Sequence, residues 1–184
     1  MTDTADRLYE SILVLRCQAG DEAAFGEIVE RYQPRLRYYL HKMLHEGHTA
    51  EDVLQEVWLD VFRALSRLAD VGAFRAWLYR IARDRALREL RKRRPIVQPL
   101  EEVDMVDEGA EEANFDAEDV ARINAGLDKL AAEHREVLAL RYVEDMSYEE
   151  IARVVGCQIG TVRSRLHYAK RALRAVLERK NVDD

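Results

Sequence analysis

Ser147 and Glu150 stand three residues apart, directly ahead of the apolar residues Ile151, Val154 and Val155, and together they set the first constraint on the fold. A serine followed by a glutamate at this spacing is a capping box, in which each side chain satisfies a backbone N–H that the first helical turn cannot pair internally. A helix therefore starts here. Ile151, Val154 and Val155 recur at i, i+3 and i+4, and Gly156 supplies the permissive backbone that suits a helix C-terminus. A second helix has to begin almost at once. Its apolar stripe is Val162, Leu166, Ala169 and Leu173, while Arg163, His167, Lys170 or Arg171, and Arg174 recur along another face. The pattern is that of a helix-turn-helix, and a cationic helix face fits a major groove lined by phosphates and base edges. The same spacing also describes a solvated surface helix over a trihelical core.

Composition bounds the class. With 184 residues, 48% of them hydrophobic and 35% charged, the chain can bury one or two modest cores. No apolar run approaches the roughly 18 residues needed to span a bilayer. The segment Met1-Thr-Asp-Thr-Ala-Asp-Arg7 lacks the basic-then-apolar form of a signal peptide, so a cytoplasmic location without membrane insertion is expected. Cys17 and Cys157 are too few and too scattered for a disulfide framework or a zinc knuckle, which leaves free thiols in a reducing compartment.

A net charge of −6 looks wrong for a nucleic-acid binder until it is divided along the chain. Residues 1–94 carry 17 Lys and Arg against 15 Asp and Glu, residues 95–121 carry none against 10, and residues 122–184 carry 12 against 10. The acidic excess sits wholly in the middle, and both flanks are slightly basic. That middle stretch, from Pro95 through Pro99, Gly109 and Glu112, combines two prolines, a glycine and repelling carboxylates without a clear period. It reads as an extended linker. Helical spacing resumes with Val120, Ile123, Leu127 and Leu130. No strand-like alternation of useful length is present, so the expected fold is all-α. Two small helical domains, residues 1–94 and 118–184, are joined by an acidic linker at 95–117.

The first domain shows four helical segments. One carries Leu8, Ile12 and Leu15 and ends near Gly20. Asp21 is a plausible N-cap for a second, which holds Phe25, Ile28, Val29 and Tyr32, is kinked or restarted by Pro34, and continues through Leu36, Tyr39, Leu40 and Met43. A third, Thr49 to about Leu68, buries Val53, Val57, Val61 and Leu65 and points Asp52, Gln55, Glu56 and Asp60 elsewhere. In the fourth, about Ala73 to Arg93, Phe74, Trp77, Leu78, Ile81 and Leu87 interleave with Arg75, Arg80, Arg83, Arg85, Arg88 and the run Arg91-Lys-Arg-Arg94. Cations that hold a backbone and aromatic faces that receive unstacked bases are what single-stranded nucleic acid requires. The alternative is an ordinary core with arginines at a helix C-terminus.

Four blocks taken in order resemble one family. They are Thr49-Ala-Glu-Asp-Val-Leu-Gln-Glu-Val-Trp-Leu59, Phe74-Arg-Ala-Trp-Leu-Tyr-Arg-Ile-Ala-Arg83, the run from Leu138 to Ala152, and Gly160-Thr-Val-Arg-Ser-Arg-Leu166. Together they resemble the extracytoplasmic-function sigma factors of bacterial RNA polymerase over about residues 20–94 and 118–178. The resemblance implies a region 2-like helical bundle and a region 4-like helix-turn-helix, in an alternative sigma factor that directs promoter recognition and transcription initiation.

Position by position, the resemblance implies that Asp52, Gln55 and Glu56 dock on the coiled-coil clamp helices of core RNA polymerase. From the residues alone, these acceptors read first as a solvated face. The family's −10 reading and melting would fall to Arg75, Trp77, Arg80, Arg83, Asp84, Arg88 and Arg91. In this family, melting means extrusion of a base into a protein pocket, against an unstacking cost of a few kcal/mol. The −35 element would be read through Thr161, Arg163, Ser164, His167, Tyr168, Lys170 and Arg171. The acidic linker would thread toward the active centre and RNA exit path. Promoter DNA and an anti-sigma factor complete the implied partners.

Four positions depart from the family pattern. Asp84 and Arg88 stand where members commonly carry Asn and Asp, Ala131 stands where a proline often opens a helix, and Tyr168 replaces a frequent Arg. Asp84 loses an amide donor and adds charge near phosphates. An alternative reading is a sigma-like mimic that binds an anti-sigma factor without opening promoters. A plain helix-turn-helix repressor leaves residues 49–94 unexplained.

His41, His45 and His48 allow two imidazoles on one helix face, but nothing in the pattern orients them as ligands, and no metal or cofactor is expected. No nucleophile sits beside a base and no glycine-rich phosphate loop exists, so no enzymatic activity is expected.

Overall fold

Every regular element among the described residues, 2–93 and 126–180 of the computed structural model, is a helix. The chain separates into two compact units. The acidic segment 95–117, Arg94, Val120 and Ile123 lie outside the described residues. No described helix is long and apolar enough to cross a membrane.

Four helices build the first unit: α1 (Thr2–Gln18), α2 (Glu22–Leu44), α3 (Gly47–Ala64) and α4 (Phe74–Arg93). Asp21 caps α2 as its position demands, its Oδ1 accepting from the Ala24 N–H at 3.1 Å. α2 then runs through Pro34 as one helix and ends at His45, which takes a left-handed conformation with φ of 61°. Ile28, Tyr32, Leu36, Tyr39 and Leu40 of α2 are fully buried, as are Val57 and Val61 of α3 and Phe74, Leu78, Tyr79, Ala82 and Ala86 of α4. Edge-to-face rings lock α2 to α4, with centroids 5.7 Å apart for Tyr32 and Phe74 and 5.3 Å for Tyr39 and Tyr79. α2 packs on α1, α3 and α4, and α3 packs on α4.

The apolar stripe expected for α1 faces away from this core. Leu8, Ile12 and Leu15 are exposed, Leu8 by 64%, whereas Leu13 and Val14 are buried with Glu10 beside them. Glu10, Leu13, Val14 and Cys17 follow helical spacing as well as the apolar trio does. A carboxylate heads the inward stripe because it accepts a hydrogen bond from the buried Tyr32 hydroxyl. The end of α1 is tied down by Gln18, whose amide donates to the carbonyls of Leu65 at 3.0 Å and Leu68 at 2.8 Å. Those carbonyls lie at the short 3₁₀ turn Leu65–Arg67, and a second such turn, Val71–Ala73, leads into α4.

The second unit contains α5 (Ala132–Leu138), which continues as a π-helical turn over Ala139–Val143, then α6 (Tyr148–Val155) and α7 (Ile159–Lys180). Its interior includes Leu127, Val137, Leu140, Met146, Ile151, Val162, Leu166, Ala169 and Leu173. α5 packs on α7. Ala131 precedes α5 without a side-chain cap. Arg135 is buried, with Nη1 donating to the carbonyls of Asp128 at 3.4 Å and Leu130 at 3.5 Å, so the turn before α5 has a donor for its orphan acceptors.

Candidate nucleic-acid interface

On α3 the register set by Val53, Val57 and Val61 turns Asp52, Gln55 and Glu56 to solvent, where all three are exposed. The other acids of this helix are tied inward. Glu51 accepts from Arg37 of α2 at 2.7 Å and lies 3.6 Å from His41, and the Arg37 hydrogen bond holds its carboxyl below the usual range. Asp60 is gripped by Arg85 of α4, whose Nε and Nη2 donate to its two oxygens at 2.5 and 2.7 Å. Glu56 receives the third donor of the same guanidinium, Nη1 at 2.7 Å. The exposed face thus has an acceptor-rich half, Asp52 and Gln55, and an edge at Glu56 that is already half engaged.

Sequence reasoning missed the apolar part of this face. Leu59 and Phe62 are 54% and 64% exposed, and they follow Gln55 at i+4 and i+7. Phe62 stands edge-on to Phe25 with centroids 5.2 Å apart, and Phe25 in turn meets Trp58 at 6.2 Å. The signal was available, because neither Leu59 nor Phe62 falls on the valine stripe.

α4 sorts its charges by helical position. Arg80, Asp84, Arg88 and Arg91 are exposed and recur along one line, so Asp84 sits inside a row of arginines, one turn from Arg80 and one from Arg88. Arg75 and Arg83 are half-buried. Arg75 is close enough to the buried Glu10 to favour its ionised form. Trp77 is half-buried, with its ring 6.0 Å from that of Phe74. The row that faces solvent is cationic with one negative interruption, and the aromatic ring lies against the core side.

In the second unit the capping box forms as expected. The Ser147 N–H donates to Glu150 Oε2 at 2.8 Å, and the Glu150 N–H donates to Ser147 Oγ at 3.2 Å. Gly156 ends α6 with φ of 72°, and α7 begins three residues later. Val162, Leu166, Ala169 and Leu173 are buried along α7. Arg163, Tyr168, Arg171 and Arg174 are exposed, while Thr161, Ser164, His167 and Lys170 are half-buried. Arg163 is the fifth residue of α7, within the electrostatic reach of Glu149 on α6.

Two of the half-buried groups are engaged within the unit. The Ser164 hydroxyl donates to the Thr161 carbonyl at 3.0 Å, and the Lys170 ammonium lies 5.8 Å above the Tyr142 ring. His167 and Tyr168 meet edge-on at 5.5 Å. A helix whose first turns carry an exposed arginine, behind a capped helix and a glycine turn, can enter a groove with its N-terminal end.

The chain matches sigma-70 region 2 over residues 28–96 and sigma-70, region 4 over residues 121–173. It is 35% identical over 181 residues to the RNA polymerase sigma-H factor of Pseudomonas aeruginosa, with 90% of this chain and 92% of that one covered. It is 31% identical over 184 residues to the ECF RNA polymerase sigma-E factor of Escherichia coli K12, covering 92% and 94%. Among solved structures it resembles CnrH in complex with the cytosolic domain of CnrY, at a TM-score of 0.68 and 27% identity over 92% of this chain and 97% of that one. It also resembles the sigma factor RpoE of Bartonella quintana in complex with the anti-sigma factor NepR, at 0.64 and 26% over 84% and 96%.

Proposed function

The chain belongs to the extracytoplasmic-function group of the sigma-70 family, and from that premise we propose that it is an alternative sigma factor, binding core RNA polymerase and directing transcription initiation at its own promoters. The observation that carries the reading is the near full-length match to named sigma factors through both helical units. A sigma-like mimic that only titrates an anti-sigma factor is not favoured by that match. Core-dependent, sequence-specific starts in transcription on genomic fragments test the reading, and their absence would overturn it.

The residue assignments follow as proposals. Residues 1–94 act as the region 2 domain, 95–117 as an acidic linker and 118–184 as the region 4 domain. Asp52, Gln55 and Glu56 meet the basic surface of a polymerase helix pair, and Leu59 and Phe62 extend that face with apolar area. Arg80, Asp84, Arg88 and Arg91 face the −10 strand, with Arg75, Trp77 and Arg83 behind them. Arg163 reads a base of the −35 element, helped by Thr161, Ser164, His167 and Tyr168, while Lys170 and Arg171 hold phosphate. Two small basic faces give the free chain few simultaneous phosphate contacts, so stable promoter binding requires the polymerase.

An anti-sigma partner is in keeping with the complexes in which the two solved relatives were captured. The chemistry of RNA synthesis belongs to the polymerase, and this chain, acting in the cytoplasm, supplies the address.

A further inference from the structure

Arg85 points away from the line formed by its neighbours on α4. A rotation of about 100° per residue takes it off the exposed row of Arg80, Asp84, Arg88 and Arg91 and turns it across to α3. Its side chain is only 25% exposed. Three of its nitrogens donate to two carboxylates one helical turn apart, Nε and Nη2 to Asp60 and Nη1 to Glu56. Glu56 is half exposed, so the carboxylate that Arg85 holds stays within reach of a docking partner.

The packing around this clamp explains what it adds. Ala82 and Ala86 are fully buried and one turn apart on α4, next to Arg85. Contacts made by small apolar side chains are individually weak and not directional, so they say little about register by themselves. A planar guanidinium with three fixed donors on two carboxylates admits one translation and one rotation. Half-exposed ion pairs add little to stability, so the clamp acts chiefly on register.

We infer that Arg85 is a positioning residue: by holding Asp60 and Glu56 it sets the register of α4 on α3, so that docking through α3 places the DNA-facing row of α4. The inference rests on the functional reading above. It joins the two activities of the first unit through one side chain, and it assigns Arg85 to the protein interior, not to phosphate.

The test uses the full chain with core polymerase and a promoter on which the wild type is active, following strand opening with a fluorescent base analogue in the −10 element. Arg85→Lys keeps the charge and loses the fork, and Asp60→Asn removes the charge that the fork grips. Both should leave core affinity within about twofold and the circular dichroism melt unchanged, while slowing opening about tenfold. Exchanging the pair, Asp60→Arg with Arg85→Asp, should recover much of the lost rate. Opening at the wild-type rate in Arg85→Lys would overturn the inference. So would a parallel fall of opening, core affinity and thermal stability, or an exchanged pair no faster than the single variants. A wild-type chain that opens no promoter with core polymerase overturns the functional reading itself, and this inference with it.

Discussion

The Tyr32 hydroxyl of α2 donates to the Glu10 carboxylate of α1 inside the first unit. Burial pushes the Glu10 carboxyl above its ordinary value of 4.5, and the Tyr32 hydrogen bond and Arg75 oppose that rise without cancelling it. Tyr32 is pushed well above its ordinary value, first by burial and then by the Glu10 charge. The pair is a polar joint between two helices, and its cost depends on protonation.

A folded-state value above the unfolded one fixes the sign of the pH dependence. Well below pH 4.5 both states hold the Glu10 proton; as pH rises through the unfolded value and then the raised folded value, the unfolded chain loses its proton first and stability falls. Glu10→Gln should therefore gain stability relative to wild type between pH 4 and 7, in urea melts followed by the fluorescence of Trp58 and Trp77, both of the first unit. Tyr32→Phe should cost about 1–3 kcal/mol at pH 7, and less in the Glu10→Gln background. A wild-type-to-Gln difference that does not move with pH would show that Glu10 is not titrating in the fold.

Charge reversal at Asp52 should lower the affinity for core polymerase at least about tenfold, and Phe62→Ser should lower it further. Both side chains are exposed, so helicity should hold; Asp52 reversal should leave melting within about 0.5 kcal/mol, and Phe62→Ser should cost at most about 1 kcal/mol for the lost Phe25 contact. Unchanged binding in a titration with labelled chain would remove this face from docking. Loss of helicity would show that it serves the fold instead.

Arg163→Ala should cost about 1–3 kcal/mol on the preferred −35 sequence and relax preference at one base pair. Lys170→Ala should weaken all sequences alike and shallow the salt dependence by about one contact. The Tyr142 ring beneath Lys170 holds the ammonium in place before DNA arrives, so Tyr142→Ala should weaken binding in the same sequence-independent way. A promoter-library selection in which Arg163→Ala lowers activity uniformly would contradict direct base readout.

Ser147→Ala and Gly156→Ala should each destabilise the second unit by about 1 kcal/mol, the first by orphaning an N–H and the second by straining a left-handed backbone. A methyl group on Gly156 would meet nothing within 4 Å, so the cost is conformational and not steric. Gly156→Asn should be milder, because asparagine tolerates that region. Equal melting temperatures for the Ala and Asn variants would count against the backbone explanation.

Much of this architecture was readable in the chain because its signals are local. The Asp21 cap, the Ser147–Glu150 box, the Gly156 stop and the valine stripe of α3 each depend on residues within one or two turns, and each lies where the spacing put it. The face of α1 was not readable. Leu8, Ile12 and Leu15 outrank a stripe headed by Glu10 on hydropathy, and the Tyr32 hydroxyl, 22 residues away, together with Arg75 gives the inward carboxylate its partners.

The arginines of α4 show the same division. Periodicity alone separates residues 80, 84, 88 and 91 from the core, but it cannot say that Arg85 meets Asp60, because the partner is 25 residues distant and belongs to another helix. Likewise the sequence names Asp52, Gln55 and Glu56 as a polar face and sets Leu59 and Phe62 off the valine stripe, but it does not show that Glu56 is already held by Arg85. By itself the sequence determined where helices start and stop and which stripe of α3 and α7 turns inward, since capping and helical period act within a few residues. Tertiary structure alone decided which charges are spent holding helices together and which remain for a partner, since that depends on side chains far apart in the chain meeting at hydrogen-bond distance.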